Sequence, residues 1–410
     1  MASTSGSGPE DPAGDERANY DYAGGAVDRP GLVDDLDGLV DGEVRFDEYT
    51  KQLYATDASA YEVTPIGVIF PTSTADVAAA VEYCAEREIP VLPRGGGTSL
   101  AGQTVNEAVV LDFTQEMDGL LSLDAEAATA TAEAGIYLGD LNAAIEEYGL
   151  KFAPDPAWGD KSALGGAIGN NSTGAHSLKY GKTDAYIEEV EAVLADGTVT
   201  TLGEVPLSEI RTEADPEGEI IERVYAEVAR ILDEEAEEVD RRYPDLKRNV
   251  SGYSLDVLVD EASNGKTVNL ARLLAGSEGT LAVVTEATVS LEPLPETKSV
   301  ALLTYDGLVE AMEDVAPILD HGPAAVEVMD DVLLDLAADT AEFGEVVGTL
   351  PDGTDAVLLV EFYADDDEHG REQVANLVAD RCPAEAEGET DGGTAAATAP
   401  MRATHAMEAH

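Results

Sequence analysis

The chain has 410 residues and a formal net charge of -61, because 84 Asp and Glu outweigh 23 Lys and Arg. Binding to a nucleic-acid backbone needs clustered basic side chains, so this composition excludes nucleic acid as a partner. With 44% hydrophobic residues the chain can fold, and its length predicts two domains behind an N-terminal extension.

The first elements follow an acidic extension, which we assign to residues 1–58. Residues 1–30 are rich in Gly, Ser, Asp and Pro, and this predicts a disordered tail because few large apolar side chains are present to offset its entropy. The apolar run at 67–70 predicts a strand, residues 75–88 predict a helix, and 89–93 predict a second strand. Strand, helix and strand in this order predict one layered unit.

The next segments continue this alternation. Residues 108–113 and 128–135 predict strands, and residues 137–149 predict a helix closed by Gly149. Two strands over 188–202 are joined by Asp196–Gly197, a dipeptide typical of a hairpin turn.

A domain boundary is predicted near residue 294. An amphipathic helix over 216–242 and a strand over 281–291 precede Pro293 and Pro295, which mark the boundary, and the residues after it predict a smaller α/β layer. Strands and helices alternate from there to residue 381. Residues 384–400 have low complexity and predict a loose loop.

Cysteine usage and hydropathy limit the classes of site. Cys84 and Cys382 lie far apart, which excludes a disulfide framework and an iron–sulfur or zinc site; Cys84 is interpreted as a small core residue. No apolar run approaches the roughly 20 residues that span a bilayer. We therefore predict a cytoplasmic protein with no membrane span. Its acidity indicates adaptation to a salt-rich cytoplasm, the alternative being an acidic chain that binds a basic partner.

The strongest local motif is the segment PRGGGTSLAGQ at 93–103, directly after a predicted strand. Consecutive glycines allow positive φ and close approach of backbone N–H groups to an anion, as in a diphosphate-binding loop. The alternative is an ordinary glycine-rich turn. The segment lacks the Gly–Lys–Ser/Thr ending of a Walker A loop and the following helix of a Rossmann fingerprint.

This loop resembles the pyrophosphate loop of FAD-linked oxidases and dehydrogenases, a family that includes D-lactate dehydrogenase and the glycolate oxidase flavin subunit. Three more segments resemble that family in the same order, at 54–71, 155–197 and 273–287. The resemblance implies an α+β chain, with a two-subdomain FAD-binding fold of the p-cresol methylhydroxylase (PCMH) type at 59–294. A partial ferredoxin-like α/β cap domain is implied at 295–410.

The resemblance also implies a set of cofactor-binding residues for FAD. Those implied at the diphosphate are Gly95, Gly96, Gly97, Thr98, Ser99, Gly102 and Gln103. Those implied along the ribityl and isoalloxazine region are Asp155, Pro156, Ser162, Gly165, Gly166, Asn171 and Gly174, with Glu278, Gly279 and Thr280 closing the site. Thr98 stands where covalent members carry a histidine, so non-covalent FAD is implied.

The chemistry implied by the resemblance is oxidation of a D-2-hydroxy acid of the lactate or glycolate class, by hydride transfer to flavin. A quinone, cytochrome or iron–sulfur protein would accept the electrons, and such an acceptor could place the protein peripherally at a membrane. The catalytic base stays unassigned. His176 either faces the flavin or is a polar structural residue, and the acidic run before His369 is either a metal site or a solvated helix start.

Two other functions stay open at this level. One is a FAD-binding module without turnover, because the family's histidine-rich cap segment is not found in this chain; His405 and His410 have no metal-ligand spacing, and no metal is predicted. The other is an aldonolactone or sugar oxidase of the same superfamily. An incomplete cap would leave an exposed sheet edge, and this predicts self-association at low salt.

Overall fold

The structure is a computed structural model that describes residues 30–382 and 398–401. The predicted N-terminal tail, most of the predicted loop at 384–400, and His405 and His410 lie outside these residues. The strands are β1 (Glu43–Arg45), β2 (Gly67–Phe70), β3 (Val91–Arg94), β4 (Val109–Asp112), β5 (Leu120–Asp124), β6 (Thr129–Glu133), β7 (Leu150–Lys151), β8 (Ile187–Val193), β9 (Val199–Leu202), β10 (Glu204–Pro206), β11 (Thr267–Asn269), β12 (Val283–Ser290), β13 (Glu292–Pro293), β14 (Thr297–Tyr305), β15 (Ala325–Asp330), β16 (Ala356–Ala364) and β17 (Thr398–Met401).

Helices alternate with these strands through most of the described chain. They are α1 (Pro30–Asp37), α2 (Glu48–Leu53), α3 (Thr74–Ala85), α4 (Leu138–Ile145), α5 (Leu164–Gly169), α6 (Ser177–Tyr180), α7 (Leu207–Glu213), α8 (Ile220–Arg230), α9 (Ala236–Arg242), α10 (Leu255–Asn264), α11 (Leu308–Leu319), α12 (Asp331–Ala338), α13 (Gly344–Val347) and α14 (Asp367–Arg381). A π-helical turn, Ile231–Glu235, joins α8 to α9. None of the helices described here combines the length and apolar character that crossing a bilayer demands.

The chain forms two compact units. The first contains the described residues up to Phe152, together with Trp158–Ser172 and Lys182–Glu292. The second contains Ala153–Ala157, Thr173–Gly181 and the residues from Pro293 onward. The chain therefore enters the second unit twice, briefly, before it forms the main part of that unit.

One layer of the first unit is the predicted strand–helix–strand segment. Strands β2, β4 and β3 are parallel neighbours, and α3 connects β2 to β3. Val77, Ala80 and Cys84 of α3 are fully buried in the core of this layer, and burial raises the pKa of the Cys84 thiol to about 11. These observations confirm the predicted core role of Cys84. The helix ends three residues before the predicted end, and the chain then turns through Glu88 at φ 54°.

The other layer of the first unit is a five-stranded antiparallel sheet in the order β5-β6-β12-β8-β9. Strands β8 and β9 form the predicted hairpin, and Gly197 has φ 85° at its turn. Ala130, Ala132, Ala287 and Val289 are buried on alternate positions of β6 and β12, as expected for a sheet with one face in the core.

Residues 30–58 are part of the first unit, which corrects their assignment to the acidic extension. Strand β1 pairs with β2, and Leu36, Val44 and Phe46 are buried in the same core as α3. The assignment was wrong because these residues contain few apolar side chains, so the sequence alone gives little sign of a folded segment. Their burial depends on the pairing of β1 with β2, which the local sequence does not show.

The second unit is built on an antiparallel sheet in the order β15-β16-β14-β17. Alternate residues of β16, among them Leu358, Val360 and Phe362, are fully buried with α11 and α14 on one face. Strict alternation places Glu361 and Tyr363 on the opposite face. Lys298 of β14 pairs directly with Tyr363, so its side chain belongs to that second face as well.

Candidate cofactor site

The glycine loop after β3 packs closely against the chain at 161–163. A Cβ atom on Gly96 would lie 1.7 Å from the carbonyl oxygen of Lys161, and one on Gly95 would lie 2.7 Å from Cβ of Ala163. Gly97 has φ 66°, in the left-handed region that favours glycine. The loop therefore needs its glycines both for close approach and for backbone conformation.

The side chain of Arg94 connects the start of this loop to neighbouring backbone segments. Its guanidinium donates hydrogen bonds to the carbonyl oxygens of Tyr54 (3.2 Å), Thr56 (2.8 Å) and Thr104 (2.9 Å), and burial lowers its pKa. A Cβ atom on Gly97 would come within 2.7 Å of Nη2 of Arg94, so the loop wraps around the guanidinium. Arg94 thus fixes three backbone segments, a role that sequence reasoning missed.

The second predicted segment meets the loop at two points. The hydroxyl groups of Thr98 and Ser162 lie 3.1 Å apart. The side-chain amide of Asn170 donates to the Ser99 hydroxyl at 3.4 Å and to the Gly166 carbonyl at 3.2 Å. The predicted convergence of the two glycine-rich stretches is therefore present in the first unit.

The third predicted segment closes the same region. Gly279 has φ 74°, and a Cβ atom on it would lie 2.5 Å from Cγ of Pro93 at the start of the glycine loop. The Gln103 amide donates to the Glu278 carboxylate at 3.4 Å. Thr280 donates to the Ser277 carbonyl at 2.6 Å and lies 3.0 Å from the Tyr253 hydroxyl.

These segments surround an open cleft in the first unit. Its lining includes six predicted residues, namely Gly95, Gln103, Gly165, Gly166, Glu278 and Gly279. A Cβ atom on Gly166 would meet no protein atom within 4 Å, so its backbone faces open space. The glycine-lined walls fit a flat cofactor that must approach the backbone closely.

Asn171, which the resemblance implied at the flavin, is buried against Asp184. It is 1% exposed and has φ 46°, and its side chain donates to the Asp184 carboxylate at 3.1 Å and accepts from the Asp184 backbone N–H at 3.0 Å. The neighbouring Asn170 lines the cleft instead. The two adjacent asparagines are indistinguishable by local pattern. Only the turn that follows α5 separates them, because Asn170 caps the helix and Asn171 has the left-handed conformation.

Asp155, Pro156 and Gly174 belong to the second unit. A Cβ atom on Gly174 would lie 1.3 Å from the Asp155 carbonyl oxygen, so the two short segments that carry these residues touch each other. His176 reinforces the contact, because its Nδ1 atom lies 2.7 Å from Oδ2 of Asp155.

His176 is also bound to β16. Its Nε2 atom lies 3.2 Å from Oε2 of Glu361, and its ring lies 5.4 Å from the ring of Tyr363. The hydrogen bond to Asp155, followed by that to Glu361, raises the pKa of His176 to about 9. With both ring nitrogens donating to carboxylates, His176 is an imidazolium at neutral pH and cannot take a proton from a substrate.

Glu361 was not recognised as a site residue from the sequence. The signal was present, since one acidic side chain interrupts the apolar strand AVLLVEFYA, and a half-buried carboxylate needs a partner. The acidic run at 365–368 is a helix start, as one of the two readings had it: Asp366 caps α14 by accepting from the His369 N–H at 2.8 Å. Among the described residues, no group of three acidic, His or Cys side chains could hold a metal.

The chain matches two protein families, the FAD binding domain over residues 65–203 and the C-terminal domain of FAD linked oxidases over residues 294–408. It is 33% identical over 336 residues to D-2-hydroxyglutarate dehydrogenase of Pantoea ananatis, covering 79% of this chain and 32% of that protein. It is 32% identical over 328 residues to glycolate oxidase subunit GlcD of Bacillus subtilis, covering 78% and 57%. It is 31% identical over 306 residues to D-lactate dehydrogenase of Archaeoglobus fulgidus, covering 73% and 55%.

The chain spans about a third of the length of the D-2-hydroxyglutarate dehydrogenases that it matches. Among solved structures, alkyldihydroxyacetonephosphate synthase superposes with a TM-score of 0.60 at 17% identity, covering 86% of this chain and 59% of the other. That likeness shows the fold alone. The two family matches, which follow one another along the chain, place it among the FAD-linked oxidases.

Proposed function

We propose that this protein oxidises a D-2-hydroxy acid, of the 2-hydroxyglutarate, lactate or glycolate class, with FAD as the cofactor. The observation that carries the proposal is the meeting of three glycine-rich segments at one cleft in a chain whose relatives are named as dehydrogenases of such acids. When bound, FAD supplies an acceptor for the hydride of the substrate carbon.

The residues of the first unit have distinct parts in holding the cofactor. The glycine loop, from Gly95 to Ser99, offers backbone N–H groups to a diphosphate, and the half-buried positive charge of Arg94 lies next to it. Gly165 and Gly166 give a flat ring system room to lie against the backbone. Glu278 and Gly279 bound the cleft on the side of the third segment.

The partners follow from the same proposal. The substrate is a small hydroxy-acid anion, and electrons leave through a quinone, a cytochrome or an iron–sulfur protein. We propose a cytoplasmic location, and we propose the division of the chain into a FAD-binding domain and a cap domain near residue 294.

Anaerobic reduction of the bound flavin tests this function. Purified protein in concentrated KCl is loaded with FAD and mixed with D-2-hydroxyglutarate, D-lactate or glycolate, and absorbance of the oxidised flavin is followed. We expect bleaching by at least one of these acids, with the L-enantiomers of the chiral acids as controls, and recovery of absorbance when a dye acceptor is added. Retained flavin that no 2-hydroxy acid bleaches, but that dithionite does, would refute turnover by this chain.

A FAD-binding module without turnover is the second candidate function. The observation that favours it is His176, whose two ring nitrogens are both engaged by carboxylates, so this histidine cannot serve as the base. The anaerobic experiment separates the two candidates. Oxygen consumption with an aldonolactone in place of a hydroxy acid would instead indicate a sugar oxidase.

A further inference from the structure

The stretch 158–172 of the first unit is flanked on both sides by segments of the second unit. It contributes Gly165, Gly166 and Asn170 to the cleft. The segments before and after it, Ala153–Ala157 and Thr173–Gly181, belong to the second unit. Whatever fixes these two flanks therefore fixes both ends of the cleft-lining stretch.

His176 joins the two flanks to each other and to β16. It is 9% exposed and lies on the second flank. Its Nδ1 atom is 2.7 Å from the Asp155 carboxylate on the first flank, and its Nε2 atom is 3.2 Å from the Glu361 carboxylate on β16. The bond to Asp155 joins two residues that are 21 positions apart in the sequence, and the whole stretch 158–172 lies between them.

Only the protonated ring can make both bonds. Imidazolium has two N–H donors, whereas neutral imidazole has one donor and one lone pair, and that lone pair would face a carboxylate oxygen. Loss of the proton must therefore release one of the two carboxylates.

Several other charged or titratable groups surround His176. On its own segment Lys179 and Tyr180 lie near the Tyr363 ring, and Lys298 of β14 lies 3.8 Å from Oε1 of Glu361. Glu327 of β15 pairs with Leu359, on the same sheet face as Glu361. The two carboxylates that bind the ring are the nearest of these groups and favour the imidazolium.

We propose that His176 is a positioning residue whose protonated ring clamps both flanks to β16 and so holds the stretch 158–172 in its FAD-binding shape, and that deprotonation releases the clamp. The inference goes beyond the proposed function, because it concerns retention of FAD and does not depend on which acid is oxidised. It makes cofactor affinity sensitive to alkaline pH.

The test combines two measurements on the full chain in concentrated KCl. Long-range proton–nitrogen NMR spectra of the five histidines, assigned with His176→Gln, report the titration of His176. Its pKa should lie near 9, as the two carboxylates require. Quenching of FAD fluorescence gives the Kd for FAD between about pH 7 and about pH 10.5, and we expect it to rise about tenfold, which corresponds to about one pKa unit of linkage.

Three variants keep the test decisive. His176→Gln should bind FAD more weakly at neutral pH, and its Kd for FAD should not rise further at alkaline pH. Any change of Kd with pH that remains in this variant comes from titration of the flavin itself and is subtracted. Asp155→Asn should fold and move the step to lower pH, because one of the two stabilising charges is gone. His321→Gln is the matched control. It removes another histidine of the second unit, whose Nε2 atom lies 3.1 Å from Asp380, and should leave the profile unchanged.

Two results would overturn the proposal. One is titration of His176 near the ordinary value of 6.5. The other is a folded His176→Gln protein, or Asp155→Asn protein if the first does not fold, with the FAD affinity and pH profile of the unmodified chain. Neither result bears on flavin reduction by a hydroxy acid, so the proposed function is tested separately.

Discussion

Glu286 of β12 lies directly opposite Glu191 of β8 in the five-stranded sheet of the first unit. On its other side it faces Glu133 of β6, so three acidic residues form a row across adjacent strands. Burial, and then repulsion by Glu191 and Glu133, raises the pKa of Glu286. Thr74 and Thr285 donate hydrogen bonds to Glu191, and the Gly119 N–H donates to Glu133.

Glu286→Gln should stabilise the protein at neutral pH. A carboxyl whose pKa is raised by folding binds its proton more tightly in the folded state, so the free energy of unfolding falls as pH rises from 4.5 through the raised pKa. We expect a gain of about 0.5 kcal/mol at pH 7, typical of relieving like charges on paired strands. Thermal unfolding at pH 7 and at pH 4 measures it, and the gain should vanish at the lower pH. A loss of stability at pH 7 would contradict the repulsion.

Salt should stabilise the protein strongly. With a net charge of -61, the folded chain repels itself, and the Debye length falls to about 3 Å at 1 M salt. We expect Tm to rise by about 10 °C or more between about 0.1 M and about 3 M KCl. Substituting sucrose of matched water activity is the control, because it strengthens burial without screening charge. Equal effects of the two solutes would argue against an electrostatic origin.

Self-association at low salt remains a prediction for the second unit. Strand β15 forms an edge of its sheet, and Val328 on that strand is 42% exposed. Size-exclusion chromatography in dilute and in concentrated KCl measures the oligomeric state. A stable monomer in dilute buffer would contradict the prediction.

Gly166→Ala should weaken FAD binding without weakening the fold. The added methyl group meets no protein atom within 4 Å and projects into the cleft, where it takes space from the cofactor. Because Gly166 lies in α5, alanine should stabilise the cofactor-free protein by up to about 1 kcal/mol through helix propensity. Gly31→Ala, in α1 and also without close neighbours, is the matched control. If Gly166→Ala leaves the Kd for FAD unchanged, the cleft is not the cofactor site.

Arg94→Lys should lower both stability and FAD affinity. The ammonium group cannot reproduce the forked geometry that reaches the carbonyl groups of Tyr54, Thr56 and Thr104 together. We expect a loss of about 2 kcal/mol in the free energy of unfolding, because lysine leaves some of these carbonyl groups without a charged donor. Arg211→Lys, at an exposed pair with Asp233, should change stability very little. Urea unfolding of the two variants without FAD decides the comparison.

Local signals predicted much of the fold. The 3-10 turn after α4, Glu146–Tyr148, is capped by Gly149 at φ 70°, and the β8–β9 hairpin turns at Gly197, because these turns depend on a few adjacent residues. The glycine loop was also recognisable, since its spacing after a strand is a local feature. The helix α3 was predicted with an end that proved three residues too long, as propensity alone does not register the turn at Glu88.

The amino-acid sequence by itself determined many of the elements, the strong negative charge and the glycine-rich segments that mark a FAD-linked oxidase, because each of these depends on composition or on residues close together in the chain. Only the tertiary structure decided that residues 30–58 join the first unit, that Asn170 and not Asn171 lines the cleft, and that His176 is bound by Asp155 and Glu361. Contacts between residues as distant as His176 and Glu361 arise from strand pairing and packing, and no local pattern records which side chains will share a sheet face.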